Sequence, residues 1–224
     1  MTALAPREAY RLWAASYEPE NAITFLEQRL VESLGPSPGA KRLLDAGCGT
    51  GRRLGTSKAA LAVGVDLSPE MLAQARSNPW LASATLLEGD ICVLPLADCQ
   101  FDLVWCRLAL GHIADLDRAY AELSRVTRLG GDVIATDFHP TAHAAGHRRT
   151  FRVGEVVHEV VHHPRSLAQH TAAARKAGLS LRGWDEASIG AEAWPFYAAA
   201  GRKDLFAEHE GLPVVLGLAF CRDA

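Results

Sequence analysis

Two carboxylates and three glycines are the residues of this chain with the clearest chemical use. Leu43-Leu44-Asp45-Ala46-Gly47-Cys48-Gly49-Thr50-Gly51 places an acid two residues before a G-x-G-x-G turn, and Val63-Gly64-Val65-Asp66 ends an apolar run in a second acid fifteen residues past Gly51. Glycines in such a turn let the backbone approach a ligand, and a strand-terminal carboxylate suits the diol of a ribose. An adenosine-bearing ligand is the expectation. The dinucleotide pattern G-x-G-x-x-G keeps a small third residue so that a helix packs on the sheet and meets a pyrophosphate. Here that place falls on Arg52, counted from Gly49, or on Leu54, counted from Gly51.

Other side chains invite chemistry further along. His112, six residues after Cys106, is the residue type that takes a proton near neutrality. Residues 138 to 165 hold six of the nine histidines together with Arg148, Arg149 and Arg152. His139, His143 and His147 recur at i, i+4 and i+8, which on a helix starting at Pro140 would stack three imidazoles near Asp137. Without a recognised ligand spacing, contact with an acceptor or with solvent is preferred to a metal site. His139 and Arg152 are the acceptor-facing candidates, and the three arginines are either an anion clamp or solvated strand faces. Tyr10, Trp13 and Tyr17 form an aromatic stripe that is either core or a face sensing a cation.

The elements that must position these groups alternate. Strands are expected at 41–46, 61–66, 84–88, 101–106 and 131–137, with helices after Thr50 (abbreviated by Gly55), from Ser68 to about Arg76, and over 115–128. Ser68-Pro69-Glu70 supplies an N-cap, a proline at the first helical position and an acid against the helix dipole. Two helices precede the first strand, and the second ends at Gly35-Pro36-Ser37-Pro38-Gly39. A hairpin over 150–153 and 155–161, a helix at 166–177, strands at 179–184 and 213–221 and a rim element at 185–212 complete the pattern. The alternation predicts a doubly wound, mostly parallel sheet.

The motif I spacing resembles that of the class I S-adenosylmethionine (SAM)-dependent methyltransferases of the small-molecule, methyltransferase-11-like kind. Further blocks keep the family's order: Asp66-Leu67-Ser68-Pro69-Glu70-Met71-Leu72, Glu88-Gly89-Asp90-Ile91, Phe101 to Cys106, and Leu129 to Ile134, within residues 41 to 137. The resemblance implies a seven-stranded Rossmann-like sheet with an antiparallel last strand beside the fifth, and N-terminal helices. It implies SAM as cofactor and S-adenosylhomocysteine as product. It places Asp45, Gly47, Cys48 and Gly49 at the methionine end, Asp66 on the ribose, Leu67 and Met71 against adenine, Asp90 and Ile91 at its amino group, and Cys106 and Tyr17 nearby. His112 becomes the candidate base, since relatives often carry two histidines where this chain has Gly111-His112.

Composition agrees with an enzyme on a small molecule. The 224 residues suit one domain: a helical cap at 1–40, a cofactor core at 41–137, a lid at 138–165 and sheet completion at 166–224. Hydrophobic residues make up 49% and charged residues 22%, which fits a folded protein. A net charge of −3 argues against coating nucleic acid. No apolar run approaches the roughly 20 residues of a bilayer span. Five cysteines without C-x-x-C pairing, and no charged-then-apolar leader, fit a cytoplasmic protein. A small-molecule acceptor, no nucleic acid and no membrane are expected as partners, for a monomer or homodimer. The alternatives are a SAM-binding protein without transfer activity and an NAD-dependent oxidoreductase.

Overall fold

A computed structural model describes residues 2 to 17 and 20 to 223. In chain order the elements are β1 (Thr2–Leu4), α1 (Pro6–Trp13), α2 (Ala22–Leu34), β2 (Arg42–Ala46), α3 (Arg52–Thr56), β3 (Leu61–Asp66), α4 (Pro69–Ser77) and β4 (Thr85–Glu88). Then come β5 (Phe101–Arg107), α5 (Leu116–Val126), β6 (Thr127–Phe138), α6 (Pro140–Ala144), β7 (Thr150–Val153) and β8 (Val156–Val160). The chain closes with α7 (Leu167–Lys176), β9 (Leu179–Ser188), α8 (Trp194–Ala199), α9 (Lys203–His209) and β10 (Pro213–Arg222).

Seven strands form one sheet in the order β4-β3-β2-β5-β6-β10-β9. The first five run parallel, whereas β10 is antiparallel to both β6 and β9. Side chains alternate across a strand, so both faces of a covered sheet must be apolar. Leu44, Val104, Cys106 and Val133 meet α5 and α7 on one face, and Leu43, Leu103, Trp105 and Ile134 meet Val31 of α2 and Leu54 of α3 on the other. The sheet's order reverses at β2, where β3 lies on one side and β5 on the other. Ligands bind at such a switch point, beyond the carboxyl ends of the strands.

The Ser68 hydroxyl caps α4 by accepting from the Met71 amide, as the sequence predicts. The first helix after the glycine turn is five residues long, again as expected. Other boundaries shift for physical reasons. β6 begins at Thr127, before the expected turn, because Phe101 pairs with Thr127 and Leu103 with Asp132; the Gly130-Gly131 turn is a bulge inside the strand. β9 extends to Ser188 because β10 pairs along its whole length. The hairpin is present as β7 and β8, and β1, which no periodicity announces, adds to β8 in parallel to make a second, three-stranded sheet. Together with α1 this small sheet roofs the strand ends. No helix among the described residues is long and apolar enough to cross a membrane.

Candidate functional site

A cavity of about 510 Å³ opens at the carboxyl ends of β2, β3, β4 and β5, under α1 and the segment Ala5-Pro6-Arg7. Its floor is the glycine turn. Gly47, Gly49 and Gly51 all take positive φ (82°, 56° and 69°), the left-handed region open to glycine. A Cβ on Gly47 would also stand 2.8 Å from that of Ala109. The turn is held by Val65, whose carbonyl accepts from the amides of Gly47 (2.7 Å) and Cys48 (3.0 Å).

Asp66 closes the same turn from the other side. One carboxylate oxygen accepts from the Gly49 amide (2.7 Å) and the other from the Ser68 amide (2.9 Å), so its position is set before any ligand arrives. Each oxygen keeps a further lone pair toward the cavity. Asp45, by contrast, makes no hydrogen bond with the loop. It faces the cavity at 3% exposure, and burial pushes its pKa up to about 6. A cation beside it would restore the ionised form. Asp90 follows β4, accepts from the Cys92 amide (2.8 Å) in a tight turn, and borders the cavity with Ile91.

One wall of the cavity is aromatic, with Tyr10, Tyr17 and His112. His112 sits in a short turn after β5, with Nδ1 donating to the Val161 carbonyl (2.9 Å). Nε2 must then be unprotonated, and it accepts from the Tyr10 hydroxyl at 3.0 Å. Burial pushes the imidazole down to about 4 and the Tyr10 phenol up to about 12. His112 is therefore neutral at pH 7 rather than titrating near it. Behind this pair Arg149 donates to the Tyr17 hydroxyl (3.0 Å) and lies over the rings of Trp13 (5.0 Å) and Phe138 (5.3 Å). The stripe of Tyr10, Trp13 and Tyr17 thus serves as cation box and cavity wall together.

A buried charge cluster also borders the cavity through Arg53 and Arg107. Glu27 of α2, with no exposed surface, receives Arg107 Nε (2.7 Å) and Nη2 (2.8 Å), the Thr136 hydroxyl (2.9 Å) and a guanidinium nitrogen of Arg53. Burial alone would raise the Glu27 pKa, but the Arg107 guanidinium overrides it and holds the carboxyl below its ordinary value. The Thr136 hydroxyl also accepts from the amide of Leu108, which is held at a φ of +53° directly after Arg107. Such strain in a non-glycine residue persists only where surrounding bonds impose it.

Of the residues singled out from the sequence, Tyr17, Asp45, Gly47, Cys48, Gly49 and Asp66 border the cavity. Leu67, Met71, Asp90, Ile91 and His112 do so as well. Cys106 does not: it is fully buried on the face of β5 that meets α5 and α7. His139 caps α6, accepts from the Thr141 amide and pairs with Glu186 (2.9 Å), so both its nitrogens are engaged away from the cavity. Arg152 lies exposed on β7, bonded to the Glu155 carbonyl (3.5 Å). The expected three-imidazole stack is absent because α6 stops at Ala144: His143 stacks on His162, and His147 lies tilted against His209. Among the described residues no group of three or more metal-ligating side chains exists. The arginine clamp separates too, with Arg148 on Glu159 and Arg149 in its aromatic box. Glu27, Arg53 and Arg107 are not among the site residues expected from the sequence. Glu27 alone carried a signal, a charge on the apolar face between Ile23 and Leu30.

Residues 44–135 match a family model described as a methyltransferase domain. Over that stretch the chain resembles a methyltransferase domain. This domain is 43% identical over 109 residues to malonyl-[acyl-carrier protein] O-methyltransferase of Erwinia pyrifoliae, which covers 48% of this chain and 40% of that protein. It is 32% identical over 180 residues to 27-O-demethylrifamycin SV methyltransferase of Amycolatopsis mediterranei, covering 75% of this chain and 64% of that protein. The chain thus spans less than two thirds of either relative. A SAM-dependent methyltransferase from Mesorhizobium loti shares the fold at a TM-score of 0.68 and 23% identity, over 88% of this chain and 98% of its own. Methyltransferase domains of this family use SAM. The cavity fits that molecule by its own features: a turn of three glycines at positive φ, a pre-positioned carboxylate at a strand end, and a second, buried carboxylate suited to an ammonium group.

Proposed function

We propose that the protein transfers a methyl group from SAM to a small-molecule acceptor and releases S-adenosylhomocysteine. The observation that carries this reading is Asp66, locked by two amides at the mouth of the glycine turn inside a cavity large enough for a nucleoside. Asp66 would hold the ribose hydroxyls, Asp90 and Ile91 the adenine, Leu67 and Met71 its flank, and Asp45 with Gly47, Cys48 and Gly49 the amino-acid end. The sulfonium supplies an already activated methyl group, so the chain's task is to orient donor and acceptor and exclude water.

Tyr10, Tyr17 and His112 form the acceptor wall. An acceptor O–H or N–H that docks on the Tyr10 hydroxyl can pass its proton to the phenol oxygen while that hydroxyl donates to His112 Nε2. An acceptor that arrives as an anion needs no such relay. Whether the nucleophile is oxygen, nitrogen, carbon or sulfur is set by which small molecule fills this wall.

Calorimetric titration with SAM and with NADH tests the cofactor. SAM should bind and NADH should not, and Asp66→Ala should weaken SAM about 100-fold, the worth of two charge-assisted hydrogen bonds. NADH binding in place of SAM overturns the reading. Turnover with carboxylic, phenolic and amine acceptors then separates an enzyme from a binding protein. Tyr10→Phe and His112→Asn should lower kcat while SAM affinity stays within a factor of about three of the original.

A further inference from the structure

Four buried polar atoms without a hydrogen-bond partner gather around one carboxylate: Asp137 Oδ2, His170 Nε2 and both ring nitrogens of His162. Asp137 has no exposed surface, and among the described residues its carboxylate accepts from the Phe138 amide alone (2.8 Å). Two imidazoles face it instead, His170 Nε2 at 3.3 Å from Oδ2 and His162 Nε2 at 3.9 Å from Oδ1. A buried carboxylate with one amide donor is costly unless N–H-bearing neighbours compensate it. His170 is fixed from its other side, where Nδ1 meets the Tyr120 hydroxyl at 3.0 Å. His162 has no hydrogen bond of its own, so the charge of Asp137 is the polar hold on its ring, with Phe138 and His143 packed on other sides.

This cluster reaches the cavity through Gly111. A Cβ on Gly111 would collide with His162 Cε1 and stand 2.5 Å from Asp137 Oδ1, so the ring of His162 fills the space a side chain at 111 would take. It meets the His112 ring edge-on, with centroids 5.5 Å apart. On either side of His162 the backbone is bonded to the same turn. The Val161 carbonyl accepts from His112 Nδ1 (2.9 Å), and the His163 amide donates to the Gly111 carbonyl (2.6 Å). The ring is therefore a peg between two hydrogen bonds. A carbonyl can only accept, so Val161 selects the His112 tautomer that leaves Nε2 free for the Tyr10 hydroxyl.

We propose that His162, anchored on the Asp137 carboxylate, is the positioning residue of the Tyr10 and His112 pair: it fixes the Val161 carbonyl and, through it, the His112 tautomer that can take a proton from Tyr10. This rests on the proton relay read above and deepens it. His162 does not itself line the cavity. It acts through the carbonyl one residue before it, so a carboxylate at the end of β6 sets which nitrogen of an imidazole after β5 is basic.

The test is NMR of the full chain with nitrogen-15 in its histidine rings, where the coupling pattern of each imidazole shows which nitrogen bears the proton. No acceptor is needed. In the wild type at neutral pH, His112 should be a single Nδ1–H tautomer, and His162 should carry a proton on Nε2, the atom facing Asp137. His162→Leu keeps bulk but no N–H, and should turn the His112 signal into an average of both tautomers. SAM affinity by calorimetry should stay within about threefold of wild type, as for a site outside the cofactor's contacts. His162→Gln keeps an N–H that can reach Asp137 and should retain the single tautomer, a rescue that a role in packing alone would not produce. The same His112 signal in both variants overturns the proposal. A wild-type His162 protonated on Nδ1 alone also overturns it, and that measurement decides even if His162→Leu fails to fold. A wild-type His112 protonated on Nε2 alone overturns the relay and this proposal together, whereas loss of the His162 effect with His112 still Nδ1–H leaves the relay standing.

Discussion

At the scale of single residues, two acids with the same side chain are set to different tasks by their surroundings. Asp66 is tied by the Gly49 and Ser68 amides, whereas Asp45 faces the cavity with no hydrogen bond to the loop. Its carboxyl is raised from 3.8 to about 6, chiefly by burial. Between those values the folded state binds more protons than the unfolded state. Stability of the ligand-free protein therefore falls as pH rises from about 4 to about 6, by as much as about 3 kcal/mol. Asp45→Asn should abolish this slope and leave the ligand-free protein more stable than wild type at pH 7 in urea denaturation. SAM affinity should move the opposite way: it falls in the wild type below about pH 6 as Asp45 protonates, and is weak and flat in Asp45→Asn. Both acids were legible because each ends an apolar strand beside glycines. The pair Tyr10 and His112 was legible only as two separate residues, since they lie 102 positions apart.

At the scale of elements, the site depends on close approach between layers. Gly217 of β10 lets α2 lie on the sheet: a Cβ there would stand 2.6 Å from Leu34 Cδ1 and 2.8 Å from Leu30 Cδ2. Gly217→Ala should cost about 1 to 3 kcal/mol of stability by overpacking. Because α2 also carries Glu27, a loss in SAM affinity should accompany the drop in thermal midpoint. The roof is weaker. β1 is three residues long and joins β8 in parallel, with the Val161 amide donating to the Leu4 carbonyl at 2.9 Å. Deleting Thr2 to Leu4 should leave the melting curve of the core nearly unchanged while the Val161 amide exchanges much faster with deuterium, a local opening. Unchanged exchange would show that the hairpin roofs the site without β1. The core strands were legible from their apolar runs and bounding glycines. β1 was not, because three residues carry too little periodicity to register.

At the scale of the whole molecule, the buried cluster of Glu27, Arg53, Arg107 and Thr136 joins α2, α3, β5 and β6 across the sheet's switch point. Its energetic weight is asymmetric. A buried pair contributes little net stability, yet removing one partner strands the other charge. Glu27→Ala leaves two guanidinium groups without a counter-charge and should cost about 3 to 5 kcal/mol in denaturant unfolding. Adding SAM should recover part of that loss by mass action, since a ligand that binds only the folded state stabilises it. An unchanged midpoint in Glu27→Ala would remove the cluster from any account of stability.

The sequence by itself determined the periodic and the local. Alternating apolar segments specified the parallel core, and the glycine turn with its two acids specified where the crevice opens, because strand faces and left-handed turns depend on neighbours a few residues away. Tertiary structure alone decided which charges are neutralised and which are left over. The partners of Glu27 lie 26, 80 and 109 residues distant, and those of His112 lie 102 and 49 residues away. Burial of a charge, the tautomer of an imidazole and the orphaning of a buried nitrogen are properties of such distant pairings. They have no period in the sequence, and they govern how tightly the cavity can select its ligands.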